Sequence, residues 1–124
     1  MNHIEYHLAT LQDIDIVVDL RIEFAIVLGG RIPEVEEQKL RELAYDYFGE
    51  ELDKNYLCWY ATVNGEPASV AGMVLRRNPG NIKNPSGRWG YIMNVYTRPE
   101  YRRMGLSANI MQRLEETAVS RGIT

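Results

Sequence analysis

The stretch Tyr91-Ile-Met-Asn-Val-Tyr-Thr-Arg-Pro-Glu-Tyr-Arg-Arg-Met-Gly-Leu-Ser107 holds the residues whose types and spacing could do chemistry. It reads as a strand, a short arginine-rich turn and the start of an amphipathic helix. At such a junction the first backbone N–H groups of the helix lack carbonyl partners, and the positive end of the helix dipole points the same way, so an anion is favoured there. Gly105 lets a phosphate approach the backbone where a Cβ would obstruct it. Ser107 is small, and Arg102 and Arg103 add positive charge, at least one of them facing solvent. A strand, turn, glycine and helix also occur with no ligand, so these features alone leave phosphate binding open. Neither standard nucleotide motif fits better: there is no Gly-Lys-Ser/Thr of a P-loop and no G-x-G-x-x-G of a dinucleotide fold.

Other reactive residue types have plainer readings. Cys58, the single cysteine, lies in an apolar strand-like run and reads as a small buried hydrophobe rather than a nucleophile. It cannot form an internal disulfide, which points to a reducing, cytoplasmic setting. His3 and His7 have no ligand-like neighbours, and no His/Cys/Asp cluster has metal spacing, so no metal is expected. Tyr91 and Tyr96 read as core or cleft-lining aromatics, and Trp59 and Trp89 as packing.

The elements that must position this turn fit in one domain, residues 1–124, of ordinary globular balance: 45% hydrophobic, 25% charged, formal net charge −3. No overall basic field draws the chain to nucleic acid or anionic lipid. The arginines gather between Arg76 and Arg113, whereas Glu34 to Asp53 is acidic. That local positive region suits a small anion. No signal pattern or membrane-length apolar run is present.

His3 to Ala9 alternates as a short strand. Thr10 and Asp13 form a capping box for a helix over Leu11 to Leu28, with an apolar stripe including Ile14, Val17, Val18, Leu20, Phe24, Ile26 and Val27, ended by Gly29-Gly30. Pro33 and the acidic run Glu34 to Glu37 open a second helix reaching about Asp53, with Val35, Leu40, Leu43, Ala44, Tyr47 and Phe48 on its apolar side. Strands follow over Tyr56 to Val63, Ser69 to Arg77 and Arg88 to Thr97; Asn64-Gly65 marks a hairpin between the first two. Leu106 to Arg121 is helical, capped by Gly122, and Ile123-Thr124 reads as the first step of another strand. The order β-α-α-β-β-β-α predicts a mixed α/β layer fold with a largely antiparallel sheet, incomplete at its C-terminus.

The segment resembles motif A of the GNAT superfamily of N-acetyltransferases, whose signature is Gln/Arg-x-x-Gly-x-Gly/Ala at the start of a helix. Arg102-x-x-Gly105 matches, and Ser107 departs at the third defined position. Asn94-Val-Tyr-Thr-Arg-Pro-Glu-Tyr-Arg resembles the family's strand-to-turn passage, Glu115 to Gly122 its helix end, and the order of elements agrees from residue 3 onward. The resemblance implies acetyl-coenzyme A as cosubstrate and an amine of a small molecule or peptide as acceptor. The backbone of Val95, Tyr96 and Thr97 would pair with the pantetheine arm like an added strand. The amides of Arg103, Met104, Gly105, Leu106, Ser107 and Ala108 would cradle the diphosphate, beside Arg102. Similar enzymes often place a glutamate on the strand before motif A and a tyrosine on a later helix. Here that strand has no acid, and no later helix is in the sequence. Asn94 could orient a water. Glu23, in the region that shapes the acceptor pocket in similar enzymes, is the other candidate, with a solvated helix carboxylate as the plain alternative. In similar enzymes the next strand would form the second wall of the cleft; without it, the open sheet edge invites a homodimer. A module that binds acetyl-coenzyme A without turnover is the alternative function. The acidic second helix hints at a cationic acceptor, although a solvated face explains it more simply.

Overall fold

Four strands form a single antiparallel sheet in chain order, and the connections decide which face each helix covers. The computed structural model describes residues 2–123. Strands β1 (Ile4–Leu8), β2 (Tyr56–Val63), β3 (Glu66–Arg77) and β4 (Arg88–Thr97) lie side by side in that order, which leaves β4 at an edge. Helices α1 (Ile14–Gly29) and α2 (Glu34–Glu51) pack on one face, and α3 (Leu106–Ser120) on the other.

The local signals account for most boundaries. Thr10 N–H donates to Asp13 Oδ2 at 3.0 Å, and Thr10 Oγ1 accepts from Gln12 N–H at 3.3 Å, so the capping box forms. It opens a single 3-10 turn, Leu11–Asp13, before α1 proper. Asn64 and Gly65 both have positive φ (51° and 84°), the mirror-image turn that matches the twist of a two-residue hairpin. Because that turn is so tight, β3 begins at Glu66 and takes in Pro67, three residues earlier than the alternation from Ser69 suggests. The register slips between Ala61 and Thr62, opposite Pro67, a bulge of the sort that accommodates a residue with no N–H. At the end of α3, Gly122 (φ 86°) lets Ile123 N–H reach Ala118 C=O at 2.9 Å. Ile123 is buried against α3 but pairs with no strand; Thr124, the other half of the expected strand start, lies outside the described residues.

Each face of the sheet has its own core. Under α3, Leu106, Ile110, Leu114 and Ala118 meet Leu57, Ala61, Ala71 and Met73. Full burial of each of those leucine and isoleucine side chains stabilises the fold by roughly 1.5–3 kcal/mol, which anchors the first turn of α3 firmly. Under α1 and α2, Val17, Val18, Leu20, Ala44 and Phe48 meet Tyr56, Cys58, Tyr60 and Tyr96. Several apolar residues of the expected stripes are not core. Val27, Val35, Leu43 and Tyr47 are exposed. Periodicity selects a helix face without ensuring its cover: Val27 and Val35 lie near helix ends, whereas Leu43 and Tyr47 border an open cleft. Tyr91, read from sequence as core or cleft-lining, is 57% exposed on the β4 edge strand.

Candidate active site

A bulge in β4 and a turn after it set the geometry of the site. Val70 faces Tyr96 and Gly72 faces Met93, so Asn94 and Val95 together oppose Ala71. Asn94 adopts φ 57°, a left-handed conformation that asparagine tolerates better than most residues. Its side chain is thereby turned in, and Nδ2 donates to the Tyr56 hydroxyl at 2.9 Å. Beyond the bulge Tyr96 is buried against Phe24, with ring centroids 5.7 Å apart, while Val95 is part-exposed on the opposite face. Ser69 Oγ donates to Tyr96 C=O at 3.2 Å and lies 2.7 Å from Thr97 Oγ1. Pairing with β3 extends to Arg98, whose N–H reaches Ala68 C=O at 2.9 Å.

Pro99 then starts a 3-10 turn, Pro99–Tyr101, and the chain enters Arg102 to Gly105. Arg103 (φ 67°) and Gly105 (φ 75°) are both left-handed. Such alternation turns neighbouring N–H groups toward one side. No side chain caps α3, and the first backbone bond returning to the turn is Asn109 N–H to Gly105 C=O at 3.2 Å. Among the described residues, the N–H groups from Arg103 to Ala108 have no acceptor. The helix start is therefore an array of unpaired donors. A Cβ built on Gly105 would meet nothing nearer than Asn109 Nδ2 at 3.8 Å. Within the protein, glycine is required by the backbone angle, and the space in front of it is open. Asn109, a residue with no motif to mark it, fixes the turn by donating Nδ2 to Gly105 C=O at 2.8 Å. Arg102 folds back, Nε to Thr97 C=O at 3.3 Å, and Arg103 is exposed, with no ion pair among the described residues.

Glu23 lies next to this turn, and both of its oxygens are engaged by Arg98: Nε at 3.1 and 3.0 Å, Nη2 at 2.7 Å. Arg98 Nη1 also donates to Pro67 C=O at 2.7 Å. The arrangement ties α1 to the β3–β4 end of the sheet, and the carboxylate hydrogen bond raises the Arg98 pKa. It suits a brace better than a base.

On the α1–α2 side of the bulge is a cleft of about 350 Å³. Leu40, Leu43, Ala44, Tyr47 and Phe48 of α2 form one wall, and Tyr56, Val74, Met93 and Asn94 form the sheet side. Arg21 and Arg76 are its charged residues. A narrow extension between Val17, Leu20, Phe24 and Val70 shares Arg21, Tyr56 and Asn94 with it. Tyr56 is 2% exposed; burial pushes its pKa up, and the Asn94 hydrogen bond and, to a lesser degree, the Arg21 charge work against that rise. A Cβ on Gly72 would fall inside the Tyr56 phenol, so glycine there makes room for the ring. No acidic residue of α2 lines the cleft: Glu34 and Glu42 border a separate shallow depression with Val35, Gln38 and Lys39, and Glu51 acts only from outside, adding to burial in raising the Tyr47 pKa.

The remaining reactive types have local partners. Cys58 is buried, and desolvation pushes its thiol up to about 12, which disfavours the thiolate. His3 Nε2 is 3.1 Å from Glu5 and His7 Nε2 3.2 Å from Thr62 Oγ1. Trp59 Nε1 donates to Thr117 Oγ1 at 2.9 Å, whereas the buried Trp89 Nε1 has no acceptor among the described residues. No helix among those residues is long and apolar enough to cross a membrane.

Comparison with known proteins agrees with this geometry. The chain overlays on a predicted acetyltransferase from Clostridium acetobutylicum solved with acetyl-CoA: TM-score 0.79, 27% identity, covering 98% of this chain and 77% of that one. A GCN5-related N-acetyltransferase from Ralstonia eutropha gives TM-score 0.79 at 24% identity, over 98% and 79% of the two chains. The fold also matches an aminoglycoside acetyltransferase from an uncultured soil metagenomic sample, at TM-score 0.66 and 16% identity over 98% and 75%. No curated protein matches the chain. The profile of the acetyltransferase (GNAT) family matches residues 21–124. With that match over most of its length, the chain belongs to the GNAT acetyltransferase family, whose acetyl donor is acetyl-CoA.

Proposed function

We propose that this domain transfers the acetyl group of acetyl-CoA to a primary amine of a small molecule or peptide, with the donor along the β4 edge and the acceptor in the cleft beside Asn94. The observation that carries the reading is the run of unpaired N–H groups from Arg103 to Ala108, next to an edge strand bulged at Asn94. The diphosphate sits on those N–H groups and is further balanced by Arg103. The pantetheine arm pairs with the backbone of Val95, Tyr96 and Thr97, as an extended peptide adds to a sheet edge. This brings the thioester to the bulge.

There the amine nitrogen forms a bond to the acetyl carbon as the carbon–sulfur bond breaks. One proton leaves the nitrogen and one is taken up by the coenzyme sulfur. No Asp or Glu lines the cleft, so the acceptor has to arrive as the neutral amine, with Asn94 ordering a water for the departing proton. The rate then climbs with pH until the acceptor's own amine is fully deprotonated.

A second reading, a module that binds acetyl-CoA without turnover, is favoured by the same lack of a carboxylate. Thiol release from acetyl-CoA over a panel of amines separates the two: release with at least one amine establishes transfer, and a coenzyme A-dependent rise in melting temperature without release establishes binding alone. Absence of both rejects the cofactor site. The β4 edge that takes the donor is also the edge open to a second copy of the chain. Dimer and cofactor complex are therefore alternatives, and saturating coenzyme A shifts light scattering toward monomer.

A further inference from the structure

Among the half-buried arginines of the described residues, one has neither a counter-charge nor a carbonyl. Arg41, Arg98 and Arg121 each hold a carboxylate, Asp19 at 2.6 Å, Glu23 at 2.7 Å and Asp53 at 2.7 Å. Arg21 is likewise half-buried, yet among the described residues it has neither a carboxylate nor a carbonyl partner, and it lines the cleft. A guanidinium removed from much of its water without a counter-charge is unfavourable unless something else supplies one. The buried Tyr56 hydroxyl beside it accepts from Asn94 Nδ2, and its own proton has no acceptor among the described residues. Arg76, exposed at the cleft and also unpaired, adds a second positive charge. The side chains thus present charged and neutral donors with no carboxylate to answer them. The rest of the lining, Leu40, Leu43, Phe48, Val74 and Met93 among it, is apolar.

We infer that the acceptor is a small amine that also carries a carboxylate and an apolar side chain, the carboxylate held by Arg21 and the Tyr56 hydroxyl. The inference rests on the proposed transfer at the β4 bulge and names the acceptor class for that site. A guanidinium and a phenol O–H together satisfy a carboxylate by charge-assisted hydrogen bonds. The apolar walls take the side chain, and the cleft volume of about 350 Å³ falls within the range of small-molecule sites. Polyamines and aminoglycosides are disfavoured, because two arginines and no acidic side chain line the cleft. The acidic face of α2, which from sequence hinted at a cationic acceptor, borders a different depression.

The test is a calorimetric titration of the coenzyme A-saturated protein with leucine, methionine and phenylalanine. The same side chains as amines lacking the carboxylate, and spermine, are the comparison ligands. Arg21→Gln and Arg21→Lys are run alongside, with the coenzyme A thermal shift as a check on folding and on the donor site. The expected result is at least about tenfold tighter binding of one or more amino acids than of their carboxylate-free amines. That ratio collapses in Arg21→Gln, recovers in part in Arg21→Lys, and the coenzyme A shift is kept in both. Preference for spermine or the plain amines, no binding by any amino acid, or an unchanged ratio in a folded Arg21→Gln overturns the inference while a retained coenzyme A shift leaves the donor site standing. Loss of the coenzyme A shift in the unaltered protein removes the underlying reading as well. If neither variant folds, the ratio measured on the unaltered protein decides alone.

Discussion

The turn before α3 and the cleft under α1 and α2 lie on either side of the same β4 strand, yet they are built from opposite materials. The turn offers main-chain N–H groups, held by two left-handed residues, Arg103 and Gly105, and by the Asn109 side chain. Its side chains matter mainly for what they leave open. The cleft offers side chains from α1, α2, β2, β3 and β4, and its polar groups are Arg21, Tyr47, Tyr56, Arg76 and Asn94. A main-chain site tolerates substitution wherever the backbone angles are kept, so the proposed site accommodates Ser107 where the family has glycine or alanine. A side-chain site changes its ligand with each lining residue. On the proposed reading, donor and acceptor recognition vary independently on this fold, with the Asn94 bulge as their shared element.

Substitutions that strike only one of the two regions break or sharpen this contrast. The largest effect is expected from Gly105→Asp, which puts a carboxylate in the phosphate position and a side chain at φ 75°. Coenzyme A affinity falls by roughly a hundredfold or more, about 3 kcal/mol from the lost and reversed electrostatics, and circular dichroism shows the fold intact. Gly105→Ala isolates the backbone cost, about 1–2 kcal/mol of stability. Undiminished affinity in a folded Gly105→Asp would remove the turn from the donor site.

Next is Gly72→Ala, where the new Cβ collides with the Tyr56 ring. Overpacking costs about 1–3 kcal/mol, read as a melting temperature several degrees lower. Acceptor binding weakens, whereas coenzyme A affinity in the folded fraction is kept. Asn94→Ala deletes the hydrogen bond to Tyr56 and leaves a non-glycine residue at φ 57°. It lowers stability by about 1–2 kcal/mol and raises acceptor KM, while Asn94→Gly restores the stability and not the acceptor affinity. Because Asn94 belongs to both regions, this pair of variants shows how far they are coupled.

Smaller effects mark the supports. Glu23→Gln loosens the Arg98 brace; the pair is partly exposed, with side chains 25% and 38% accessible, so the cost is at most about 1 kcal/mol after solvent screening. An acetylation rate unchanged within a few fold supports the brace, and a collapse with the fold retained makes Glu23 a base. Cys58 gives no signal near neutral pH. Its thiol titrates at about 12 instead of 9.0 because it is buried. The folded pKa is raised, so the stabilisation is complete below pH 9.0 and is lost as pH rises toward 12. Alkylation at pH 8 is expected only after unfolding.

How legible each region was follows from the same contrast. The turn was readable because arginine, glycine and a following apolar helix occupy adjacent positions, and the backbone does the rest. The hairpin at Asn64-Gly65 was readable for the same local reason, as was the capping box of Thr10 and Asp13. The bulge was not: Met93, Asn94 and Val95 fit an unbroken alternation, and only pairing with Gly72 and Val70 reveals the extra residue. Nothing in the sequence around Arg21 marks it, because the role proposed for it depends on Arg76 and Tyr56, distant in the chain, lining the same cleft. Leu43 and Tyr47 belong to the apolar side of α2 as the periodicity predicts, but periodicity does not say what covers that side, and both are exposed at the cleft. Tyr91 failed similarly, since alternation does not show that a strand is at an edge.

The claim at the centre of this account is that main-chain N–H groups of the turn bind the donor's diphosphate. Amide resonances of the ¹⁵N-labelled protein, followed as coenzyme A is added, test it most directly. The largest shifts are expected at Arg103 to Ala108, with smaller ones at Val95, Tyr96 and Thr97 and little change at Leu40 or Leu43 in the cleft wall. Saturable binding that leaves the signals from Arg103 to Ala108 in place would contradict it.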